Sequence, residues 1–222
     1  MPKLSPEQQN NRRKRIVDAA EQCFARNGFH RTTMQDICRE AGISSGALYV
    51  YFDSKEALIE ALTERDREQF LGHFADAGEV ENFTAVMEHL FRVCIVEQPR
   101  HKSTLCIEIG AESTRNPAIA TTMKRFDESL RGSLGLLLED ALAKGRIAPL
   151  TSIDQALTSM MVVADGVFWR RAVDPNFDAA VVAPVITAMM TAILRPVAEP
   201  PATIKQKTST TRSRKATSES VT

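Results

Sequence analysis

The sequence predicts an all-α protein with a three-helix helix-turn-helix domain at its N-terminus and a larger helical domain behind it. Apolar residues recur at i, i+3, i+4 and i+7 along most of the chain, and no segment alternates polar and apolar residues long enough to predict a strand. With 222 residues, 43% hydrophobic and 25% charged, the chain can bury a substantial core and has the composition of an ordinary soluble protein.

The chain divides into four segments by composition and charge. Residues 1–11 are polar and predict a disordered arm, residues 12–55 hold the helix-turn-helix domain, and residues 56–195 form the larger domain. Residues 196–222 are basic, contain prolines and hold almost nothing apolar, which predicts a disordered tail. The formal net charge is zero, but both ends are basic and the middle is acidic. Such a distribution suits a DNA-binding domain joined to a domain that does not bind DNA.

The predicted first helix opens with four basic residues, Arg12 to Arg15. Positive charge at a helix N-terminus opposes the helix dipole, so we favour contact with DNA phosphates over a merely solvated helix start. The helix ends at Gly28, and its apolar face packs against the two helices that follow. That face carries Ile16, Ala19, Ala20, Cys23 and Phe24.

Two short helices joined by a tight turn follow the first helix. Thr33 caps the earlier one, with Asp36 three residues later as the partner in a capping box. Gly42 follows the last apolar residue of that helix, where a left-handed backbone costs glycine least. Ser44 caps the second helix, which is predicted at residues 45–52.

The second of these helices has the composition of a helix that enters a DNA major groove. Its outer face is small at the N-terminal end and can approach base edges, and its tyrosine hydroxyls suit phosphate oxygens. Taken alone, the pattern also fits an ordinary helical hairpin inside an all-helical protein. We assign hydroxyl or backbone donors for DNA to Thr33, Ser44 and Gly46, base contacts to Ser45, Ala47 and Val50, and phosphate contacts to Tyr49, Tyr51 and Lys55.

A family resemblance favours the DNA-binding interpretation. Residues 28–34, 37–44 and 46–58 resemble the DNA-binding domain of TetR-family bacterial transcriptional regulators, within a match over roughly residues 12–60. One departure is Asp53-Ser54, where many members carry a proline. The resemblance implies a dimeric regulator with an effector cavity in its larger domain. Beyond the matched region it implies an architecture but no particular ligand.

Six further helices are predicted from apolar periodicity, caps and prolines. Within the first of them the run Glu64-Arg65-Asp66-Arg67-Glu68 alternates in sign, which is typical of a solvated face. Pro184 is expected in or near the first turn of the last helix. The six helices span about residues 54–75, 83–98, 103–112, 117–144, 152–172 and 178–194.

The last two helices predict a homodimer interface. The final helix is apolar on most sides, and such a helix must be covered by other protein. Packing within one monomer accounts for one apolar face but not for an almost fully apolar helix. By the resemblance, two helices from each subunit form a four-helix interface. A two-fold dimer places two recognition helices about one DNA turn apart and requires a pseudo-palindromic operator.

Phenylalanine and methionine residues are concentrated in the central helices. Such stripes are more often core than ligand-binding, and it is the resemblance that implies an effector cavity among them. Glu108, Glu112, Asp165 and Arg170 are polar candidates for its wall, although each also fits a surface or interface position. The expected effector is a small hydrophobic or aromatic molecule. The residues assigned to it are Phe91, Glu108, Glu112, Met123, Phe126, Met160, Asp165, Phe168 and Trp169.

The sequence lacks motifs for catalysis and metal binding. The four histidines have no motif around them, and neither a phosphate-binding loop nor a nucleophile elbow occurs, so we expect neither an enzyme nor a cofactor. The four cysteines lack C-x-x-C spacing, which favours buried free thiols and leaves a redox switch as the alternative. No signal peptide or membrane-length apolar run is present, and we expect a cytoplasmic protein.

Together these observations predict a TetR-like repressor that is released from operator DNA by a small hydrophobic effector. Control of multidrug-efflux or catabolic genes is the expected type. The alternative is a DNA-binding protein of the same fold that acts on chromosome organisation instead of on a promoter. The number and location of genomic binding sites distinguish the two.

Overall fold

A computed structural model describes residues 5–77 and 82–197 of the chain. Within these ranges the protein is helical, and a single bridge between Ile147 and Pro196 is its one pairing of extended segments. The all-α prediction is confirmed. The helices are α1 (Pro6–Asn27), α2 (Met34–Ala41), α3 (Ser45–Tyr49), α4 (Lys55–Ala77), α5 (Phe83–Phe91), α6 (Arg100–Ser113), α7 (Pro117–Ala143), α8 (Ile153–Val173) and α9 (Ala179–Leu194).

Helix α1 begins at Pro6, before the start that the sequence predicts at residue 12. The Ser5 hydroxyl accepts the Gln8 N–H at 3.2 Å, and the Gln8 side chain accepts the Ser5 N–H at 2.9 Å. Proline suits the first helical position, since it has no N–H to leave unpaired there. The prediction of a disordered arm is therefore wrong for residues 6–11, and residues 1–4 lie outside the described part of the chain.

Helices α2 and α3 form the predicted helix-turn-helix. The Thr33 hydroxyl accepts the Asp36 N–H at 3.1 Å, and Asp36 Oδ2 accepts the Thr33 N–H at 2.9 Å. Gly42 adopts a φ of +63° in the turn, a left-handed conformation that a Cβ disfavours. The Ser44 hydroxyl accepts the Ala47 N–H at 3.3 Å and caps α3. Each cap and the turn occupy the position that the sequence predicts.

Helix α3 is shorter than predicted and ends at Tyr49 instead of residue 52. The Tyr51 N–H donates to the Leu48 carbonyl oxygen at 2.8 Å, which closes a tighter turn than an α-helix has. Val50 and Tyr51 consequently lie in the turn that follows the helix.

The N-terminal head, residues 5–55, is held by a core that continues into the larger domain. Phe24 of α1 and Leu48 of α3 are fully buried in it. Leu105 and Ile109 of α6 belong to the same buried cluster. Helix α6 therefore packs directly against the head, and a displacement of α6 disturbs the packing of the head.

The larger domain has a second core among α5, α7, α8 and α9, in which Leu194 is fully buried. Between α5 and α6 the chain takes one π-helical turn, Arg92–Val96. The buried guanidinium of Arg171 in α8 donates to the carbonyl oxygens of Ile95 and Gln98 in and after that turn. These bonds satisfy carbonyl groups that the irregular turn leaves open and fix α8 beside it.

The C-terminal end of the described chain differs from the prediction at Val197. Pro184 is the sixth residue of α9, just beyond the first turn and therefore near it, as predicted. Val197, which belongs to the predicted tail, donates its N–H to the Arg146 carbonyl oxygen at 2.8 Å. The remaining tail, residues 198–222, lies outside the described residues.

Candidate nucleic-acid interface and ligand cavity

The surface formed by α3 and the turn after it is accessible, and its N-terminal part carries small side chains. Ser44, Ser45 and Gly46 are exposed, and a Cβ added at Gly46 would meet no atom within 4 Å. Tyr49 and Val50 are 54% and 78% exposed at the other end of the helix. This face can lie against a DNA groove without steric hindrance from the described residues of the head.

Three other residues assigned to DNA contacts are hydrogen-bonded or partly buried within the head. The exposed Thr33 donates its hydroxyl to Asp36 Oδ2 at 2.6 Å. Ala47 and Tyr51 are half-buried, and Tyr51 packs against the core of the head. Their assigned roles in DNA binding stay predictions, and for Tyr51 the structure adds a role in packing.

The basic residues of α1 are divided between packing and solvent. Arg15 Nη2 donates to the Ala41 carbonyl oxygen at 2.8 Å, and the Arg13 guanidinium lies 5.2 Å from the centroid of the Phe52 ring. Both arginines thereby hold α1 against the helix-turn-helix. Lys14 is exposed and can face a phosphate.

Lys55 is engaged inside the protein, in contrast to the phosphate contact that the sequence predicts. Its Nζ donates to the Phe29 carbonyl oxygen at 2.6 Å and lies 4.3 Å from the centroid of the Phe29 ring. The residue is half-buried at the start of α4. Its charge therefore ties α4 to the loop between α1 and α2.

Replacing Lys55 with alanine is expected to lower the free energy of unfolding by about 1–2 kcal/mol, because a charge-assisted hydrogen bond and a cation–π contact are lost. Chemical denaturation measures this loss. Lys124→Ala is the matched control, because the Lys124 side chain is 75% exposed and pairs only with Glu128 at 3.7 Å among the described residues. A flattened salt dependence of DNA binding without loss of stability would instead support the phosphate contact.

Helices α4 to α9 surround a cavity of about 280 Å³. Its wall is mostly apolar, and the rings of Phe70 and Phe126 meet edge to face with centroids 6.0 Å apart. Both the volume and the apolar wall suit a small organic ligand. The cavity is lined by six of the nine residues assigned to the effector, namely Phe91, Met123, Phe126, Met160, Asp165 and Phe168.

Glu108 and Glu112 do not line this cavity, and their predicted place there is corrected. Glu108 Oε2 accepts the Phe29 N–H at 3.4 Å, and Glu112 Oε2 lies 2.7 Å from His30 Nε2. A hydrogen bond from Arg115 lowers the pKa of Glu112. The two glutamates are one turn apart and share the face of α6 that meets the head.

Trp169 also lies outside the cavity lining, contrary to its assignment. Its side chain is 54% exposed on α8. The neighbouring Phe168 points to the cavity instead. Adjacent residues of a helix are about 100° apart around its axis, so the two aromatic rings cannot share one face.

A polar cluster joins the cavity wall to α1. Asp66 and Lys102 line the cavity and pair at 2.8 Å, and Asp66 also accepts a hydrogen bond from Arg65. Arg65 in turn binds Glu21 of α1, and His101 Nε2 lies 2.7 Å from Glu21 Oε1. We call these residues, together with Asp18, which pairs with Arg65 at 3.0 Å, the interdomain polar cluster.

Glu21 is ionised in this cluster although it is buried. Burial by itself raises the pKa of its carboxyl group, but hydrogen bonds from Arg65 and His101 outweigh that effect and lower the pKa. The predicted solvated face over residues 64–68 is therefore wrong at Arg65, Asp66 and Arg67, which are half-buried. The alternation of charge along the sequence does not indicate which of these residues contacts another helix.

Two thiols line the cavity and are poor nucleophiles. Burial raises the pKa of Cys94 to about 12 and that of Cys106 to about 11. Cys106 is exposed, and it lines the cavity from α6. Cys23 and Cys38 are buried free thiols, as predicted. Because reactivity follows the thiolate, these pKa values argue against the alternative of a redox switch at the cavity.

Comparison with known proteins identifies the family. The family model described as bacterial regulatory proteins of the tetR family matches residues 16–62. The HTH-type transcriptional regulator UidR of Escherichia coli strain K12 is 36% identical over 151 residues, which are 68% of this chain and 76% of UidR. The chain belongs to the TetR family.

Solved structures of this fold agree with the assignment. Salmonella enterica GusR superimposes with a TM-score of 0.71 at 33% identity, over 83% of this chain and 96% of GusR. FadR of Bacillus subtilis, in complex with stearoyl-CoA, superimposes with a TM-score of 0.69 over 80% of this chain and 96% of FadR. At 18% identity, the FadR comparison supports the fold alone.

Membership in the TetR family confirms the resemblance and the prediction of a DNA-binding transcriptional regulator. In helix-turn-helix proteins the second helix of the motif is the one that enters the major groove, which is consistent with the prediction that the exposed face of α3 contacts DNA. The roles of individual residues at DNA and effector stay predictions. Among residues 5–77 and 82–197, no helix is long and apolar enough to cross a membrane, and no group of three or more metal-binding side chains is assembled.

Proposed function

We propose that this TetR-family protein is a dimeric repressor that a small hydrophobic effector releases from a pseudo-palindromic operator. The observation that carries the proposal is the interdomain polar cluster. Asp66 and Lys102 belong both to the cavity wall and to a network that binds Glu21 of α1. A ligand that displaces the wall therefore acts on the helix that supports the recognition helix.

Helix α6 is placed to transmit this displacement. One side of it contributes Lys102, Cys106 and Ile109 to the cavity, and another presents His101 and Glu108 to the head. Packed helices move as units because their interiors are close-packed and do not deform continuously. A shift of α6 on ligand binding therefore changes the position of α1 and, with it, of the recognition helix.

Exposed apolar residues on α8 and α9 support a dimer. No helix of the described chain covers them, and their exposed fractions range from 51% to 72%. The same face on a second copy would bury them in a four-helix interface. Trp169, which does not line the cavity, would then be an interface residue. The residues are Val162, Trp169, Val173, Val181, Val185 and Met189.

The apolar wall of the cavity supports a lipophilic effector. FadR of Bacillus subtilis, of the same fold, is seen with stearoyl-CoA, so this fold accommodates a ligand with a long apolar part. The proposal is tested by a mobility-shift experiment with the DNA upstream of the gene for this protein and a panel of lipophilic compounds. We expect tight, salt-dependent binding that one compound class releases. Binding that no compound releases would contradict ligand control, and many scattered genomic sites would favour a role in chromosome organisation.

Glu21→Gln is expected to uncouple the effector from DNA. Loss of the charge that holds Arg65 and His101 leaves the head folded but loosens its connection to α6. DNA affinity without effector is expected to stay within about threefold, while the change in affinity caused by a saturating effector falls by about tenfold. Fluorescence anisotropy with labelled operator measures both quantities.

Glu40→Gln is the control for this experiment. It removes an ion pair with Arg26 on the outer surface of the head, at 2.7 Å, which has no part in the interdomain polar cluster. We expect its coupling to match that of the wild-type protein. Equal coupling in Glu21→Gln and Glu40→Gln would show that the signal takes another route.

A further inference from the structure

The charged residues on the cavity wall are Asp66, Lys102, Asp127 and Asp165. Asp66 and Lys102 neutralise each other through their ion pair at 2.8 Å. Asp127 of α7 and Asp165 of α8 have neither a hydrogen bond nor an ion pair with any residue in the ranges 5–77 and 82–197. The wall therefore presents two carboxylates that are exposed to solvent and have no ion-pair partner among the described residues.

The two carboxylates influence each other electrostatically and face the same cavity. Partial desolvation at the cavity raises the pKa of Asp165, and the charge of Asp127 raises it further. Asp165 also contributes to the raised pKa of Cys106, which lines the cavity from α6. The repulsion between Asp127 and Asp165 is unfavourable, and a positive charge placed between them relieves it.

The rest of the wall favours the same kind of ligand. Phenylalanine rings from four helices surround the space, and the face of an aromatic ring attracts a cation. A neutral ligand would desolvate the carboxylates without pairing them, and an anionic ligand would be repelled. The rings are those of Phe70, Phe74, Phe91, Phe126 and Phe168.

We propose that the effector is an amphipathic organic cation, with an aromatic or alkyl body among the phenylalanine rings and a quaternary or protonated amine between Asp127 and Asp165. This inference rests on the proposed function, in which the cavity is the effector site. It adds the charge of the ligand and the two residues that select it.

Three compounds of equal size test the selection by charge. They are (3-phenylpropyl)trimethylammonium, its neutral isostere 4,4-dimethyl-1-phenylpentane, in which carbon replaces nitrogen, and the anion 5-phenylpentanoate. Isothermal titration of the full-length chain with each compound is expected to give an affinity at least about tenfold higher for the cation than for the isostere, and the weakest binding for the anion.

The variant Asp127→Asn/Asp165→Asn identifies the source of the preference. We expect its preference for the cation over the isostere to fall below about threefold, with affinity for the isostere unchanged. Its melting temperature is expected to rise, because the repulsion between the two charges is removed. A purely structural role of these carboxylates would lower it. Glu128→Gln is the control, since it removes an exposed charge from the next position of α7, outside the cavity lining.

Two outcomes would overturn the inference and leave the proposed function standing. One is an isostere that binds as tightly as the cation and releases operator DNA. The other is a double variant that retains the full preference for the cation. Failure of every lipophilic compound, charged or neutral, to bind and release DNA would contradict the proposed function as well.

Discussion

Gly46→Glu is expected to abolish specific DNA binding while the protein stays folded. Gly46 is exposed near the start of α3, and a side chain added there meets no atom of the head within 4 Å. On bound DNA the same side chain would fill the space between the recognition helix and the groove, and its carboxylate would face phosphates. We expect the operator affinity to fall by at least about 100-fold.

The stability of this variant is expected to match or exceed that of the wild-type protein. Glutamate is a better helix former than glycine by about 1 kcal/mol, and a negative charge is favourable in the first turn of a helix. Thermal melting and fluorescence anisotropy with labelled operator separate the two effects. A Gly46→Glu protein that binds operator normally would show that α3 does not approach DNA through this face.

Gly132→Glu is the matched control for Gly46→Glu. Gly132 is also an exposed helical glycine with open space around it, but it lies in α7 of the larger domain. The change in charge and side-chain volume is identical. We expect DNA affinity within about twofold of the wild-type value, since the added carboxylate lies far from the recognition surface.

Val185→Asp is expected to convert the dimer into a monomer and to weaken operator binding by at least about 100-fold. Val185 is 63% exposed on α9, so a charge there leaves the folded monomer intact. In the proposed dimer it would be buried without a partner, at a cost of several kcal/mol. A monomer binds each half-site separately and loses the high effective concentration that the second head has in a dimer.

Analytical ultracentrifugation at micromolar concentration measures the oligomeric state of this variant. Leu136→Asp is the control, because Leu136 is 70% exposed on α7 and lies outside the proposed α8–α9 interface. We expect Leu136→Asp to remain a dimer with normal affinity for DNA. If Val185→Asp remained dimeric while Leu136→Asp dissociated, the result would place the dimer interface on α7 instead of on α8 and α9.

The helix-turn-helix could be predicted closely from the sequence because its signals are local. Thr33 bonds a residue three positions away, Ser44 does the same, and Gly42 is required by a backbone angle of its own. Apolar periodicity then places Leu48 inward with no knowledge of the rest of the fold. Ser5 carries the same kind of local signal, and its capping box starts α1 within the segment that is predicted to be a disordered arm.

The sequence by itself therefore determined most of the helices, the family and the surface predicted to contact DNA, since each depends on signals within one or two helical turns. Tertiary structure decided which charged residues face the cavity and which face the head. Glu108 and Asp165 are both acidic residues on central helices, yet one meets the Phe29 N–H and the other lines the cavity. Likewise, Lys55 binds Phe29, 26 positions earlier in the chain. Such partners depend on how the helices pack against one another, and this packing cannot be predicted from the spacing of residues along one helix.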